Sequence, residues 1–169
     1  MATDFFLEII TKKGGKIKGE ALSQACTEQI EVKRFTIGLD SPTDYDSGQA
    51  TGRVHLEHAE FEFPTSTATT VLVKTLCSND VITVATLSCR KTGAHGKEAI
   101  YLQWRFNSAR LVSFKMAGDN EVTLDTIKIA YSGIEVSYRQ QKQDGTLSPT
   151  PLTAAYDADE NRLVDATLK

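Results

Sequence analysis

Hydrophobic and polar residues alternate along most of the chain, and this pattern predicts β-strands. In residues 100–106, Ile100, Leu102, Trp104 and Phe106 occupy every second position, with polar residues or tyrosine between them. A side-chain period of two places one face of a strand on a core and the other face towards solvent or a second layer. Polar, glycine-containing turns separate the runs, so the pattern predicts about eight strands and a mainly β fold.

One segment departs from this period and predicts a single short helix. Its apolar positions are spaced three or four residues apart: Ala68, Val71, Leu72 and Leu76. Pro64 ends the preceding strand because it cannot donate a hydrogen bond to a sheet, and the hydroxyl side chains at 65–67 can cap the helix. Polar residues 78–80 end it, and a strand follows in which both faces are expected to be at least half covered.

Local signals refine the strand prediction. A change of apolar face near Arg34 predicts a β-bulge in the second strand, and Arg53 is expected to begin the third. Asn107 with Ser108, and Ser132 with Gly133, predict two hairpin turns. After Arg139 the pattern fades, and the tail to Lys169 shows little periodicity. These strands and one helix predict a small closed or nearly closed β-barrel, or a two-sheet sandwich, in one domain spanning residues 1–169.

The longest interruption of the pattern covers residues 38–52. It carries one proline, three glycines and several Ser, Thr and Asp residues, with few apolar side chains. Structureless connections of this length are uncommon in compact domains and are often functional. The segment is therefore predicted to be a contact loop.

Composition excludes several classes of protein. The chain has 169 residues, 40% hydrophobic residues and a net charge of -3, so it offers no general attraction to nucleic acid or anionic lipid. The basic residues Arg90, Lys91, Arg105 and Arg110 form only a weak nucleic-acid signal. No apolar run approaches the roughly 20 residues that span a bilayer, and the first ten residues do not resemble a signal peptide. Cytoplasmic folding is expected, without membrane insertion or a nucleic-acid partner.

Cysteine spacing favours reduced thiols. Cys26, Cys77 and Cys89 form neither a CxxC pair nor an even set. Cys77 lies near the predicted helix stripe and Cys89 lies on a strand face. Both are expected to be small buried side chains rather than reactive ones.

Candidate catalytic and metal sites are weak. His55, Glu57, His58 and Glu60 could supply zinc ligands, but on a strand His55 and His58 point to opposite faces. Gly93, Gly96 and Lys97 resemble a phosphate loop without its full spacing, which favours a solvated turn. No catalytic residue, metal or cofactor is predicted, and a binding or structural role is favoured over an enzyme. Unpaired strand edges can be satisfied by ordered self-assembly.

Several short segments, taken in order, resemble the Hcp family, the tube proteins of the type VI secretion system. They are DFFLEI (4–9), IKGE (17–20), IEV (30–32), the Pro64–Cys77 segment, ATLSCRKTG (85–93), IYLQW (100–104), LVSF (111–114) and YRQQKQDG (138–145). The resemblance covers about residues 4–145, and residues 146–169 match loosely.

The resemblance implies a non-enzymatic structural role. Hcp proteins are similar to phage tail tube proteins, in which six copies form a ring and rings stack into a hollow tube. A contractile sheath on a baseplate expels the tube behind a spike protein, and some members carry small effector proteins in the lumen. The chain is accordingly expected to assemble in the cytoplasm and to leave the cell without a cleaved signal peptide.

Two sets of residues are assigned to this assembly as hypotheses. Ring stacking is assigned to the loop residues Asp40, Ser41, Thr43, Asp44, Tyr45 and Asp46. The lumen wall is assigned to the turn Ala117, Gly118, Asp119 and Asn120. Two alternatives from other classes remain: a monomeric β-barrel that binds small ligands or glycans, and a zinc hydrolase that uses His55, Glu57 and His58.

Overall fold

Strands make up most of the structure, a computed structural model that describes residues 3–92 and 98–168. The strands are β1 (Thr3–Thr11), β2 (Gly15–Ile17), β3 (Ile30–Val32), β4 (Arg34–Thr36), β5 (Leu39–Asp40), β6 (His55–Leu56), β7 (Ala59–Pro64), β8 (Val81–Thr92), β9 (Glu98–Gly118), β10 (Thr123–Tyr138), β11 (Leu152–Asp157) and β12 (Arg162–Leu163). Helix α1 (Ala68–Cys77) lies between β7 and β8. The prediction of a mainly β fold with one short helix is confirmed.

Antiparallel pairing joins ten of these strands into one sheet. Its main path runs β12-β11-β10-β9-β8-β1-β2, with β3 paired to β1, β7 paired to β10 and β4 paired to β7. The path ends at β2 and β12, so the sandwich alternative describes the fold better than a closed barrel. The β-bulge predicted near Arg34 is instead a break at Lys33, because the two halves of the segment, β3 and β4, pair with different strands.

The two longest strands replace two predicted hairpins. β9 continues through Asn107 and Ser108, and β10 continues through Ser132 and Gly133. Ser108 on β9 has a φ of 50°. The register of the β9–β10 ladder shifts between Lys128 and Ile129 of β10. These irregularities bend the long ladder without reversing it. A Cβ on Gly133 would lie 3.2 Å from the Asn107 Cβ, so glycine there permits a close approach of the strands.

The core lies where β7 and α1 pack against the long strands. Phe61, Phe63 and Phe106 are fully buried there, and the rings of Phe61 and Phe106 meet edge to face with centroids 5.9 Å apart. Ala68 and Leu72 of α1 are buried as predicted. Val71 is not, because the helix instead turns Thr69 and Thr75 towards the interior.

A buried carboxylate explains that orientation of the helix. Asp125 on β10 is fully buried and accepts hydrogen bonds from the hydroxyls of Thr65 and Thr69. A buried charge requires such partners. The Asp125 contacts therefore fix the start of α1 on the sheet. The N-cap residue is Thr67, whose side chain makes no capping hydrogen bond, while the backbone N–H of Ala68 donates to the hydroxyl of the preceding Ser66.

Three further sequence expectations have different outcomes. Cys89 is buried as predicted, and burial raises the pKa of its thiol to about 12. Cys77 is exposed, contrary to prediction, because α1 turns this side chain outwards. The segment after Gly145, where the pattern fades, contains β11 and β12. Among the described residues, no helix has the combined length and apolar character needed to cross a membrane.

Candidate assembly surfaces

The predicted contact loop is an ordered hairpin. β5 pairs with β6, so that Leu39 faces Leu56 and Asp40 faces His55, and an isolated bridge joins Thr43 to Ala50. This two-stranded sheet has no ladder to the main sheet. Residues 41–52 are largely the loop that was predicted, held by the short β5–β6 pair and by one bridge. The prediction of a continuous third strand from Arg53 is wrong, because a break separates β6 from β7.

Asp44 organises the tip of this hairpin. Its Oδ1 accepts hydrogen bonds from the backbone N–H groups of Asp46 (2.9 Å) and Ser47 (2.8 Å) and from the Ser47 hydroxyl (3.1 Å). These bonds lower the pKa of Asp44. Gly48 completes the turn with a φ of 67°, a conformation that favours glycine. Tyr45 is fully exposed at this tip.

The other residues assigned to stacking share the same solvent-exposed hairpin. They are Asp40, Ser41, Thr43 and Asp46. None of the six assigned side chains is buried within the subunit, so all six are available for contact with another molecule. Their assignment to ring stacking stays a prediction.

The turn assigned to the lumen joins β9 to β10. Ala117 and Gly118 end β9 and face Leu124 and Thr123, while Asp119 begins the turn. The Asp119 Oδ1 accepts the N–H groups of Glu121 and Val122, each at 2.9 Å. These bonds lower the Asp119 pKa. Asn120 and the other three assigned residues are exposed, so this turn is accessible and internally braced.

The sequence did not predict an apolar groove on the sheet between Trp104 and the β11–β12 margin. Its cavity volume is about 210 Å³, and the lining residues are Leu39, Trp104, Ile134, Val136, Ala154, Ala155, Tyr156 and Leu163. Leu163 is 77% exposed, and Leu152 on the neighbouring row is 69% exposed. A contiguous exposed apolar surface of this kind commonly marks an interaction site. Sequence alternation places Ile134 and Val136 on one face of β10, but it does not show that this face is uncovered.

Arg90 is a structural anchor rather than part of a basic surface. Its side chain is only 8% exposed, pairs with Asp4 (2.7 Å) and Glu98, and lies 4.9 Å from the centre of the Phe6 ring. Burial opposes its charge, but the hydrogen bond that Arg90 donates to Asp4 and the nearby Glu98 and Asp4 carboxylates outweigh burial and raise the Arg90 pKa. The guanidinium thus fixes the start of β1 against β8 and β9.

The described residues give little structural support to the candidate metal and phosphate sites. His55, Glu57 and His58 are exposed. Within residues 3–92 and 98–168, no group of three or more His, Cys, Asp or Glu side chains is placed to hold a metal ion. Gly93, Gly96 and Lys97 lie outside the described residues.

Comparison with known proteins identifies a related family and fold. A sequence model of the family described as "Type VI secretion system effector, Hcp" matches residues 6–138. A search of curated protein sequences gave no match. Hcp1 from Salmonella typhimurium is similar in structure, with 23% identity, a TM-score of 0.78, and coverage of 97% of this chain and 100% of that chain.

Two other solved structures have the same fold. A structure described as a type six secretion system protein has 17% identity and a TM-score of 0.84, and the match covers 96% of this chain and 100% of that chain. Secreted protein Hcp3 from Pseudomonas aeruginosa has 17% identity and a TM-score of 0.67, and the match covers 90% of this chain and 98% of that chain. At these identities the likeness establishes the fold.

Proposed function

The chain belongs to the Hcp family of type VI secretion system proteins, and on that basis we propose that it forms hexameric rings that stack into a tube. Sheath contraction on the baseplate drives this tube, with a spike protein at its tip, out of the cell. The subunit is one domain spanning residues 1–169 with a structural, non-enzymatic role. It needs no cofactor and binds no nucleic acid.

The apolar groove is the observation that carries this proposal. A ring requires a heterologous contact, in which one surface of each copy meets a different surface of the next. The groove provides one such surface, because its side chains extend the core-facing side of the sheet beyond the core. Burial of exposed apolar side chains such as Leu152 and Leu163 would stabilise the contact between copies.

The dimensions of the groove favour a protein contact over a small ligand. Pockets for small molecules have volumes of roughly 300–1,000 Å³ and enclose most of the ligand surface. The groove has only about 210 Å³ and lies at an open sheet margin. This observation supports self-assembly over the alternative of a monomeric ligand-binding or glycan-binding barrel.

The hairpin and the β9–β10 turn supply the remaining contacts in this proposal. The hairpin stacks one ring on the next, supported by its independence from the main sheet and its exposed Tyr45. The turn at 117–120 faces the lumen, where small effector proteins are carried. Assembly takes place in the cytoplasm, and the subunit leaves without a cleaved signal peptide. The secreted relative from Pseudomonas aeruginosa supports export.

Charged substitutions at Leu163 in the groove and at the exposed Leu152 beside it test the ring. We expect the protein to form a particle near six times 18.5 kDa by native mass spectrometry. Leu163→Asp combined with Leu152→Asp should raise the subunit concentration needed for assembly about tenfold or more, a change of about 1.4 kcal/mol. A buried carboxylate without a partner opposes association.

The matched control is Leu22→Asp, because Leu22 is 96% exposed and does not line the groove. This variant should assemble like the parent protein. A parent protein that remains a single subunit at high concentration would refute the ring. Normal assembly of the double variant would show that the ring contact lies outside the groove.

A further inference from the structure

A short segment near the end of the described chain is bound by one buried carboxylate. Residues 164–168, here called the strap, leave β12 and pass over β11 towards β10. The Oε2 atom of Glu135 accepts the backbone N–H groups of Thr167 (2.8 Å) and Leu168 (3.2 Å), and the Thr167 hydroxyl bonds both carboxylate oxygens. Leu168 is 5% exposed, so the strap also buries an apolar side chain.

The binding site for the strap is built from the two longest strands. Glu135 on β10 faces Arg105 on β9, and the Arg105 guanidinium donates to the Thr167 hydroxyl. The amide of Asn107 donates to Glu135 Oε1 at 3.0 Å and holds the carboxylate in place. These three side chains are here called the seat. The seat presents a charged acceptor to two consecutive backbone N–H groups, which is a strong hydrogen-bond arrangement.

The seat lies directly behind the apolar groove. Successive side chains on a strand point to opposite faces, so Glu135 points away from the face that carries Ile134 and Val136. Ala155, which is 3% exposed and also borders the groove, faces Glu135 in the β10–β11 ladder. The N–H of Val164 continues this contact by donating to the Ala155 carbonyl at 3.0 Å. The strap therefore covers the back of the sheet whose front forms the groove.

We propose that Glu135 is a positioning residue for assembly: by binding the strap, it holds the β11–β12 margin in the shape that a second copy recognises. This inference rests on the proposed ring function. β12 pairs with β11 through only two residues, so the margin has little support of its own. Strap binding supplies that support from behind. Release of the strap leaves Leu163 and Tyr156 on a loosened edge, and the groove loses its shape.

Hydrogen exchange and native mass spectrometry on the full chain test this inference together. Glu135→Gln keeps the shape of the side chain but removes the charge and places an amide near the two N–H donors. We expect faster amide exchange at residues 164–168 and a subunit concentration for ring assembly at least tenfold higher. Thr167→Pro removes the N–H and the hydroxyl of residue 167, both of which bond Glu135, and leaves the residues of the sheet unchanged. This variant replaces Glu135→Gln in the test if Glu135→Gln fails to fold.

Glu160→Gln is the matched control, because it removes a carboxylate that pairs with Arg162 at an exposed position near the same margin. It should change neither strap exchange nor assembly. The inference is overturned if the strap exchanges faster while rings assemble normally, or if Glu135→Gln leaves the strap protected. Failure of the parent protein to form rings refutes the proposed function instead, and the two failures are therefore distinct.

Discussion

At the scale of single residues, buried charges hold the connections of this fold in place. Asp125 fixes the start of α1, Arg90 fixes the start of β1, and Glu135 binds the strap. Asp80 has a similar role, since it accepts the N–H groups of Lys13 and Gly14 in the β1–β2 turn. Each of these side chains links segments that are distant in the sequence. A buried charge is tolerated only when such partners are present.

Asp80 should make stability depend on pH. Burial alone would raise its pKa, but hydrogen bonds from Thr11, Lys13 and Gly14 lower it below the ordinary 3.8. A lowered pKa in the folded state stabilises the fold above the unfolded pKa, and this contribution is lost as pH falls through the folded value. Asp80→Asn should therefore lower the melting temperature at pH 7, and the difference from the parent should narrow below about pH 4.

Calorimetry across this pH range checks the prediction. Asp46→Asn is the control, because Asp46 is an exposed carboxylate on the hairpin. This substitution should change the melting temperature little at any pH. A difference between Asp80→Asn and the parent that stays constant down to pH 2 would contradict the prediction.

At the scale of elements, the hairpin and the long strands show how turn residues act in context. At Asp44 and Gly48 the chain reverses direction, because Asp44 caps the turn. The strands on either side, β5 and β6, form a sheet of their own. Ser108 and Gly133 have similar turn propensity but lie within β9 and β10. There, pairing on both sides of each strand outweighs the local preference, and the residues supply only a bend.

Deletion of residues 43–48 tests the function of the hairpin. The deletion removes the tip, including Tyr45, from a two-stranded sheet that has no ladder to the main sheet. We therefore expect folded subunits and normal rings, but no tubes, in negative-stain micrographs at concentrations where the parent forms them.

Tyr45→Ala is the milder companion variant, because it removes the fully exposed aromatic side chain and leaves the Asp44 turn intact. Shorter or fewer tubes are expected. Tubes of normal length after deletion of residues 43–48 would show that stacking uses another surface.

At the scale of the whole molecule, the groove and the hairpin adjoin each other, whereas the lumen turn lies apart from both. The groove is formed mainly by β9 to β12 and also by Leu39 of β5, a strand of the hairpin, and the lumen turn lies at the opposite end of the β9–β10 ladder. About twelve residues of β9 separate Trp104 from Met116, which spans at most roughly 40 Å at 3.3 Å per residue because β9 bends at Ser108. One long ladder can therefore connect an inter-subunit contact with the lumen wall.

The access of reagents to Asn120 tests the lumen assignment. Asn120→Cys is made with Cys77→Ser, since Cys77 is exposed while Cys26 and Cys89 are buried. In assembled tubes, a small maleimide should label Cys at position 120. A maleimide that carries a large polymer should label the same position at least tenfold more slowly than the small maleimide does. A tenfold lower rate corresponds to about 1.4 kcal/mol in the activation free energy.

Free subunits of the same variant are the control, and both reagents should label them rapidly. Equal labelling of tubes and free subunits by the large reagent would place this turn on the outside of the tube.

The sequence alone determined the strand-rich class, the single helix and the family, because side-chain period and ordered motifs are local properties of the chain. It also predicted the buried Cys89 and a change of pattern near Arg34, although that change is a strand break and not the predicted bulge. Tertiary structure decided which turn signals reverse the chain, which way α1 faces, and where β11 and β12 pair. It also decided that Ile134 and Val136 line an open groove while Glu135 binds the strap behind it. These properties depend on contacts between distant segments, and such contacts leave no periodic signal in the sequence.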